Sequence, residues 1–154
     1  MQSPIMFPNK KTLSYPLCLI GLIMIVLGVR WLIHAEPWML DEVANVERLG
    51  MSFEKLFENE INSTLPDYLR QIYRFFGFWV LMIGLFISSL SRASVMMKQD
   101  IGFKLILIVG FMMMFGLYLG YSLIPSSHFI ELIWVLIFLY LISLYSFIKL
   151  RKKE

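Results

Sequence analysis

The sequence predicts an all-α membrane protein with four transmembrane helices in one bundle and short amphipathic helices in the first outer loop. Hydrophobic residues make up 58% of the 154 residues and charged residues 16%, whereas soluble domains average about 45–50% and about 25%. Four apolar runs each approach the roughly 20 residues that cross a bilayer. Because little chain is left over, we expect residues 1–154 to form a single transmembrane domain.

The first apolar run covers about residues 13–33 and follows Lys10 and Lys11. It carries no small-residue cleavage site near its end, so we interpret it as a retained helix and not as a signal peptide. At 1.5 Å per residue, Arg30 lies roughly 26 Å along this helix, which places it at a membrane interface. Trp31 beside it is typical of an interfacial aromatic belt.

Residues 35–64 form the long polar stretch of the chain and predict two short amphipathic helices. Pro37 suits a first helical turn, and apolar residues then recur at helical spacing until Gly50 ends the helix. Ser52 is placed to cap a second helix whose apolar side continues to Ile61. Both helices are too short to span a bilayer, so we expect them to lie on the membrane surface or to fold over the bundle mouth.

The second span, about residues 70–91, belongs to a helix that we expect to begin at Pro66, a residue that suits the first helical turn. Thr64 and Asp67 have the spacing of a capping box, with aspartate in place of the usual glutamate. The helix is longer than a bilayer requires. Its first two turns are therefore predicted to stand in the headgroup region.

The third and fourth spans cover about residues 101–123 and 128–148. Asp100 is a candidate N-cap for the third span, and Pro125 marks a tight turn between the two. Met112–Met114 lie in the third span, and three consecutive helical residues point in three directions. We therefore interpret this run as adaptable packing and not as a copper-binding series.

Small residues at regular spacing predict close approach of the helices. Two glycine pairs are seven residues apart, one in the first span and one in the second, and each of the second and third spans carries a small-x-x-x-small pattern. The residues are Gly21 and Gly28, Gly77 and Gly84, Gly84 and Ser88, and Gly116 and Gly120. Such patterns allow two helix backbones to approach within van der Waals contact in a membrane. We interpret them as packing within the chain.

The distribution of positive charge predicts the orientation. Nine of the 14 Lys and Arg residues lie near the N-terminus, in the loop at 92–104 or at the C-terminus, whereas residues 34–69 hold eight carboxylates against two basic residues, Arg48 and Lys55. Positively charged loops stay in the cytoplasm. We therefore expect an integral protein of a bacterial cytoplasmic membrane, with both termini cytoplasmic and residues 35–64 outside.

Ionisable side chains gather near the predicted outer ends of three spans. The candidate ligand-binding cluster consists of Arg30, His34, Glu36, Arg70, Arg74, His128 and Glu131. Charged groups at membrane depth usually turn inward and pair, which predicts an ion pair between Arg74 and either Glu36 or Glu131. The alternative is that the arginines only anchor the helices by extending to the headgroups.

The sequence gives little indication of metal binding, cysteine redox chemistry, nucleophilic catalysis or nucleotide binding. The histidines and glutamates of the cluster are metal-ligand types, but neighbouring cations repel a metal ion, so we expect no metal site. The single cysteine, Cys18, excludes a disulfide or a paired-cysteine redox site. No nucleophile lies at a recognisable spacing from a histidine and a carboxylate, and no glycine-rich nucleotide loop is present. We expect no cofactor and no nucleic-acid partner, and the sequence leaves open whether the protein is an enzyme.

Three stretches resemble the small four-helix DoxX-like membrane proteins. They are Gly28–Pro37 closing the first span, the tetrapeptide Leu49-Gly50-Met51-Ser52, and Tyr68–Gly77 opening the second span. That group often has an arginine, an aromatic residue and a glycine where the second span begins, and Arg70 or Arg74 with Gly77 is similar. The resemblance implies the four-helix layout and little about chemistry, since many of these proteins are uncharacterised.

Two functions are compatible with these observations. The first is a non-catalytic accessory or interaction protein, in which the acidic outer segment docks a membrane protein partner and the bundle anchors it in the bilayer. The second is a binding protein or enzyme for a small amphiphile, whose head group would bind in an outer polar pocket. The sequence favours the first because it offers no catalytic constellation.

Overall fold

The computed structural model describes residues 9–152, which are helical wherever they are regular. The α-helices are α1 (Lys10–Ile33), α2 (Glu42–Leu49), α3 (Phe53–Phe57), α4 (Leu65–Leu90), α5 (Ala93–Met96), α6 (Gln99–Leu123) and α7 (His128–Arg151), with 3₁₀ helices at Pro37–Asp41 and Glu60–Asn62. By length and hydropathy, α1, α4, α6 and α7 qualify as membrane spans. The predicted fold class is confirmed: this is an integral membrane protein whose long helices contact lipid.

The start of α4 differs in detail from the prediction. The helix begins at Leu65 and has Pro66 in its first turn, but Thr64 makes no capping hydrogen bond through its side chain. The predicted capping box is therefore wrong. Asp67 instead accepts a hydrogen bond from Arg70 Nη1 at 2.6 Å, because a side chain one turn further along the same face competes for the carboxylate.

The other long helices are capped by local polar contacts. The Asn9 side chain accepts the Lys11 and Thr12 N–H groups at the start of α1. Ser127 Oγ accepts the Phe129 N–H at 3.2 Å at the start of α7. The predicted N-cap of α6 is wrong, because this helix begins before Asp100. The residue lies in the first turn instead, where its negative charge interacts favourably with the helix dipole.

Residues 34–64, named here the cap segment, contain the short helices that the sequence predicted. Gly50 ends α2 with φ 69°, a left-handed conformation that favours glycine, and Ser52 Oγ accepts the Lys55 N–H at the start of α3. The apolar side of α3 is shorter than predicted. The helix ends at Phe57, and Ile61 is 84% exposed.

The cap segment folds over one end of the bundle. Trp38 is only 2% exposed and packs against the rings of Phe53 and Phe57, at centroid distances of 6.1 and 5.6 Å. Its carbonyl accepts a hydrogen bond from Asn45 Nδ2 at 2.8 Å, and the 3₁₀ helix around it contacts α1 and α4. We name this the cap end of the bundle. The opposite end, which carries Asn9, α5 and the end of α7, is the terminal end.

The four long helices pack in the order α4, α1, α7, α6, with α1 against both α4 and α7. Glycines allow the α1–α4 contact: a Cβ added at Gly28 would lie 2.5 Å from the Leu81 backbone nitrogen, and one at Gly21 would lie 2.7 Å from that of Ser88. The prediction that the glycines spaced by seven bring helices together is confirmed at this seam. By contrast, α4 and α6 do not pack closely on one another.

The terminal half of the bundle holds the main hydrophobic core. Its fully buried side chains include Leu13, Leu17, Ile20, Met96 and Val109, which come from α1, α5 and α6. Polar contacts support the same region, with Ser14 Oγ donating to the Ser91 carbonyl and Ser146 Oγ donating to Thr12 Oγ1. The candidate ligand cavity lies in the other half, beneath the cap segment.

A candidate ligand cavity beneath the cap segment

A cavity of about 450 Å³ lies in the cap half, between the four long helices and beneath the cap segment. Its deep part is lined by apolar side chains of all four long helices, among them Met24, Val80, Met112, Met113 and Leu136. Cavities of roughly 300–1,000 Å³ with mostly apolar walls and a few polar groups are typical small-molecule sites. We therefore take this cavity as the candidate functional site.

The space arises where α6 lacks side-chain bulk. A Cβ added at Gly116 would meet no atom within 4 Å, although one at Gly120 would lie 3.2 Å from the Ile130 side chain. The predicted packing role of the glycine pair in the third span is therefore wrong at Gly116. Because α4 and α6 stand at the two ends of the helix order, no helix closes the gap that this glycine leaves.

Aromatic rings form the cap-end part of the wall. Trp31 lies 4.9 Å from Phe76 in an edge-to-face arrangement and 4.9 Å from Phe129, measured between ring centroids. At 7% exposure it is a buried residue, so its predicted place in an interfacial belt is wrong. The cause is the glycine seam, because Gly28 lies on the same face one turn earlier and turns Trp31 toward Gly77 on α4.

A carboxylate from the cap segment lies in the same wall. Asp41 ends the first 3₁₀ helix and is only 9% exposed. Its Oδ2 accepts a hydrogen bond from Ser127 Oγ at 2.6 Å, whereas its Oδ1 has no hydrogen-bond partner. His128 Nδ1 lies 3.1 Å from Oδ1, which is an ion-pair distance for a protonated imidazole, but this contact lacks hydrogen-bond geometry.

Further polar groups complete the wall. The Tyr73 hydroxyl interacts with the Asn45 side chain, and both residues line the cavity. The indole Nε1 of Trp31 is buried without a hydrogen-bond partner, as is Oδ1 of Asp41. Buried polar atoms are nearly always hydrogen-bonded, so these two atoms mark incomplete hydrogen bonding on residues of the cavity wall.

The sequence-predicted site residues do not line this cavity. Arg70 Nε donates to the Ala35 carbonyl at 3.0 Å and so ties α4 to the end of α1. Arg74 is exposed, and within residues 9–152 the ion pairs are Arg70 with Asp67 and His128 with Asp41, so the predicted Arg74 ion pair is wrong. Successive residues of a helix with 3.6 residues per turn point about 100° apart, so Arg74 points away from the cavity that the preceding residue, Tyr73, lines.

The remaining members of the predicted cluster lie around the rim. Arg30, Glu36 and Glu131 are exposed, and His34 accepts the Glu36 N–H at Nδ1, 3.1 Å away. His128 alone among the seven reaches the cavity wall, through its contact with Asp41. The structure thus does not bring these residues together as one cluster, and their role in binding stays a prediction.

Sequence reasoning missed Asp41, Asn45 and Tyr73. One signal could have identified the first two, since they are one helical turn apart on a predicted amphipathic helix and directly follow its apolar positions Leu40 and Ala44. A polar pair at the edge of an apolar face indicates a buried polar contact. No comparable signal marks Tyr73, because tyrosine near a membrane interface is common.

The polar wall has no arrangement that indicates nucleophilic catalysis or metal binding. Ser127, His128 and Asp41 are close together, but the serine hydroxyl donates to the carboxylate and not to the imidazole, and it also caps α7. A serine nucleophile needs the histidine as its base. Within the described residues, no three His, Cys, Asp or Glu side chains group as metal ligands.

Comparisons of the chain with family models, with curated proteins and with solved structures find no match. The resemblance to the DoxX-like proteins therefore stays a prediction, carried by Gly28–Pro37, Leu49–Ser52 and Tyr68–Gly77. What the cavity binds has to be argued from its own walls, which combine an apolar interior with a polar wall at the cap end.

Proposed function

We propose that the protein is a non-catalytic membrane protein that binds a small amphiphile in the cavity beneath the cap segment. The observation that carries this proposal is the division of the cavity wall into a polar cap end and an apolar interior. Along α7 the wall extends from Phe129 to Leu136, which is about 10 Å at 1.5 Å per residue. A head group would lie near Asp41, and a short apolar tail would extend toward the middle of the bundle.

The helix order supports entry from the lipid. Because α4 and α6 are the end members of the order α4, α1, α7, α6 and do not pack closely, the cavity has its weakest side between them. An amphiphile dissolved in the bilayer would enter there with its tail parallel to the helices. The charge distribution of the loops favours the cap end outside and the termini in the cytoplasm, so the head group would lie at the outer leaflet.

Filling the cavity tests the proposal. Gly116→Leu places a side chain in open space, and we expect it to lower amphiphile affinity about tenfold or more, the scale of one or two lost apolar contacts. The protein would be reconstituted in phosphatidylcholine nanodiscs and titrated with radiolabelled dodecylamine, dodecanol and dodecanoate, with empty discs subtracted. Thermal unfolding should show no loss of stability, because leucine is the better helix former.

A matched control separates the cavity from the helix surface. Ser122→Leu places the same side chain at an exposed position of α6 that does not line the cavity. We expect this variant to bind the probes as the unmodified protein does. The proposal is wrong if neither leucine changes binding, or if the protein retains no more of any probe than empty discs.

A second candidate is an interaction protein whose cap segment docks a membrane protein partner. Val43 is 70% exposed and Ile61 84% exposed, and both lie among the exposed carboxylates Glu42, Glu54, Glu58 and Glu60. Exposed apolar side chains rimmed by charge are typical of interaction surfaces. Photo-cross-linking from Val43 in native membranes should capture one partner, and the absence of any cross-linked protein would reject this candidate.

A further inference from the structure

We infer that the amphiphile bound in the cavity carries a cationic amine head group; this inference rests on the proposed function. The first argument is the charge of the wall. Among the described residues that line the cavity, Asp41 is the only one with a formal charge, and no lysine or arginine is present. An anionic head group would meet one negative charge and no lysine or arginine in this wall, whereas an ammonium group would meet its counter-ion.

The second argument is the incomplete pairing of Asp41. A buried carboxylate is stable only when its oxygens are hydrogen-bonded or paired with a cation. Ser127 satisfies Oδ2, but Oδ1 has no hydrogen-bond partner. His128 Nδ1 lies 3.1 Å from this same oxygen without hydrogen-bond geometry, and its side chain is 54% exposed. An ammonium N–H that reaches Oδ1 would supply the hydrogen bond that the imidazole does not make.

The third argument is the aromatic wall beside the carboxylate. Trp31, Phe76 and Phe129 are grouped with centroid distances of 4.9 Å from the indole, and Tyr73 lines the same cavity. The faces of aromatic rings attract cations within about 6 Å of their centroids, and tryptophan is the strongest of them. Aromatic rings combined with one carboxylate are a suitable site for an alkylammonium ion. An uncharged hydroxyl would hydrogen-bond to the carboxylate but would gain no cation–π interaction with the rings.

The three dodecyl probes test this inference because they share one tail and differ in the head. We expect dodecylamine, protonated at neutral pH, to bind about tenfold or more tightly than dodecanol, the scale of a hydrogen bond to a charged group, and dodecanoate to bind most weakly. The neutral phosphatidylcholine of the nanodiscs avoids a bias toward cationic probes. This measurement uses the unmodified protein, so it remains decisive even if a variant fails to fold.

Asp41→Asn then assigns the preference to the carboxylate. Asparagine keeps an oxygen that can accept from Ser127, so the wall stays in place while the charge is lost. We expect the preference for dodecylamine over dodecanol to fall about tenfold, because only the ammonium group gains from the negative charge. The control is Asp67→Asn, which removes an exposed carboxylate outside the cavity at the same end and should leave the preference intact.

The outcomes separate this inference from the proposed function. If all three probes bind equally well and Gly116→Leu displaces all of them, the amphiphile site stands and the cationic head group is wrong. The cationic head group is also wrong if Asp41→Asn and Asp67→Asn lower the preference by equal amounts. If no probe binds above empty discs, the proposed function fails, and the inference fails with it.

Discussion

The two halves of the bundle are built from the same four long helices, yet the main hydrophobic core lies in one and the cavity beneath the cap segment in the other. In the terminal half, Leu13, Leu17 and Ile20 of α1 are fully buried, and α5 adds Met96 to the core. In the cap half, a cavity of about 450 Å³ remains between the helices. The difference indicates that the core of the terminal half, together with the α1–α4 seam, holds the helices together, which allows the cap half to keep space for a ligand.

Glycine serves opposite purposes in the two kinds of contact. Along the α1–α4 seam, Gly28 lets two backbones approach so closely that no Cβ would fit. At Gly116 on α6, a Cβ would have no neighbour within 4 Å, and the missing side chain leaves volume in the cavity. The same residue type therefore closes one interface and opens another, and alanine substitutions distinguish the two roles.

The largest effect is expected for Gly28→Ala. The added Cβ would lie 2.5 Å from the Leu81 nitrogen and 2.7 Å from the Gly77 carbonyl, and backbone atoms cannot rotate away. Overpacking of this kind costs about 1–3 kcal/mol, so the melting temperature in detergent should fall clearly. Val29→Ala is the control at the next, exposed position. Equal melting temperatures for the two variants would show that the seam is looser than described.

An intermediate effect is expected for Ser127→Ala, which removes the polar link between the cap segment and α7. The serine caps α7 and donates to Asp41, so its loss should cost about 1–2 kcal/mol of unfolding free energy. Ser126→Ala is the control, because Ser126 is an exposed neighbour whose hydroxyl donates to the exposed Glu47. If thermal unfolding gives the same loss for both variants, Ser127 is not the anchor of the cavity wall.

The smallest effect is expected for Gly116→Ala. The new methyl group meets nothing within 4 Å, and alanine is favoured over glycine in a helix by up to about 1 kcal/mol. The melting temperature should therefore stay unchanged or rise slightly. A loss as large as that of Gly28→Ala would contradict the comparison, since it would mean that α6 also packs closely on a neighbouring helix at Gly116.

Much of the fold could be predicted because its signals are local. Composition and run length identified the spans, and Pro37, Gly50 and Ser52 marked the boundaries of the short helices as the structure has them. The glycine spacing also predicted the α1–α4 contact. Two predicted caps were wrong, at Thr64 and Asp100, because a side chain suited to capping also forms ion pairs or fits the first turn.

The candidate site was not predicted, because ionisable residues were selected by type and by distance along the chain. Arg74 carries a charge at the right depth, yet the cavity is lined by its neighbour Tyr73. Asp41 lies in the wall because it binds Ser127, which is 86 residues away. The rotation of α4 leaves no pattern in the sequence around Tyr73, and the spacing of Asp41 and Asn45 does not identify Ser127 as a partner.

The sequence by itself determined the four spans, the short helices between the first two and the close glycine seam. Only the tertiary structure decided which faces of the long helices turn inward at the cap end, and so placed Trp31, Tyr73 and Asp41 around one cavity. The physical reason is the solvent. Both the lipid-facing and the buried sides of a membrane helix are apolar, so hydropathy fixes where a helix lies along the chain but not its rotation, which depends on packing between helices.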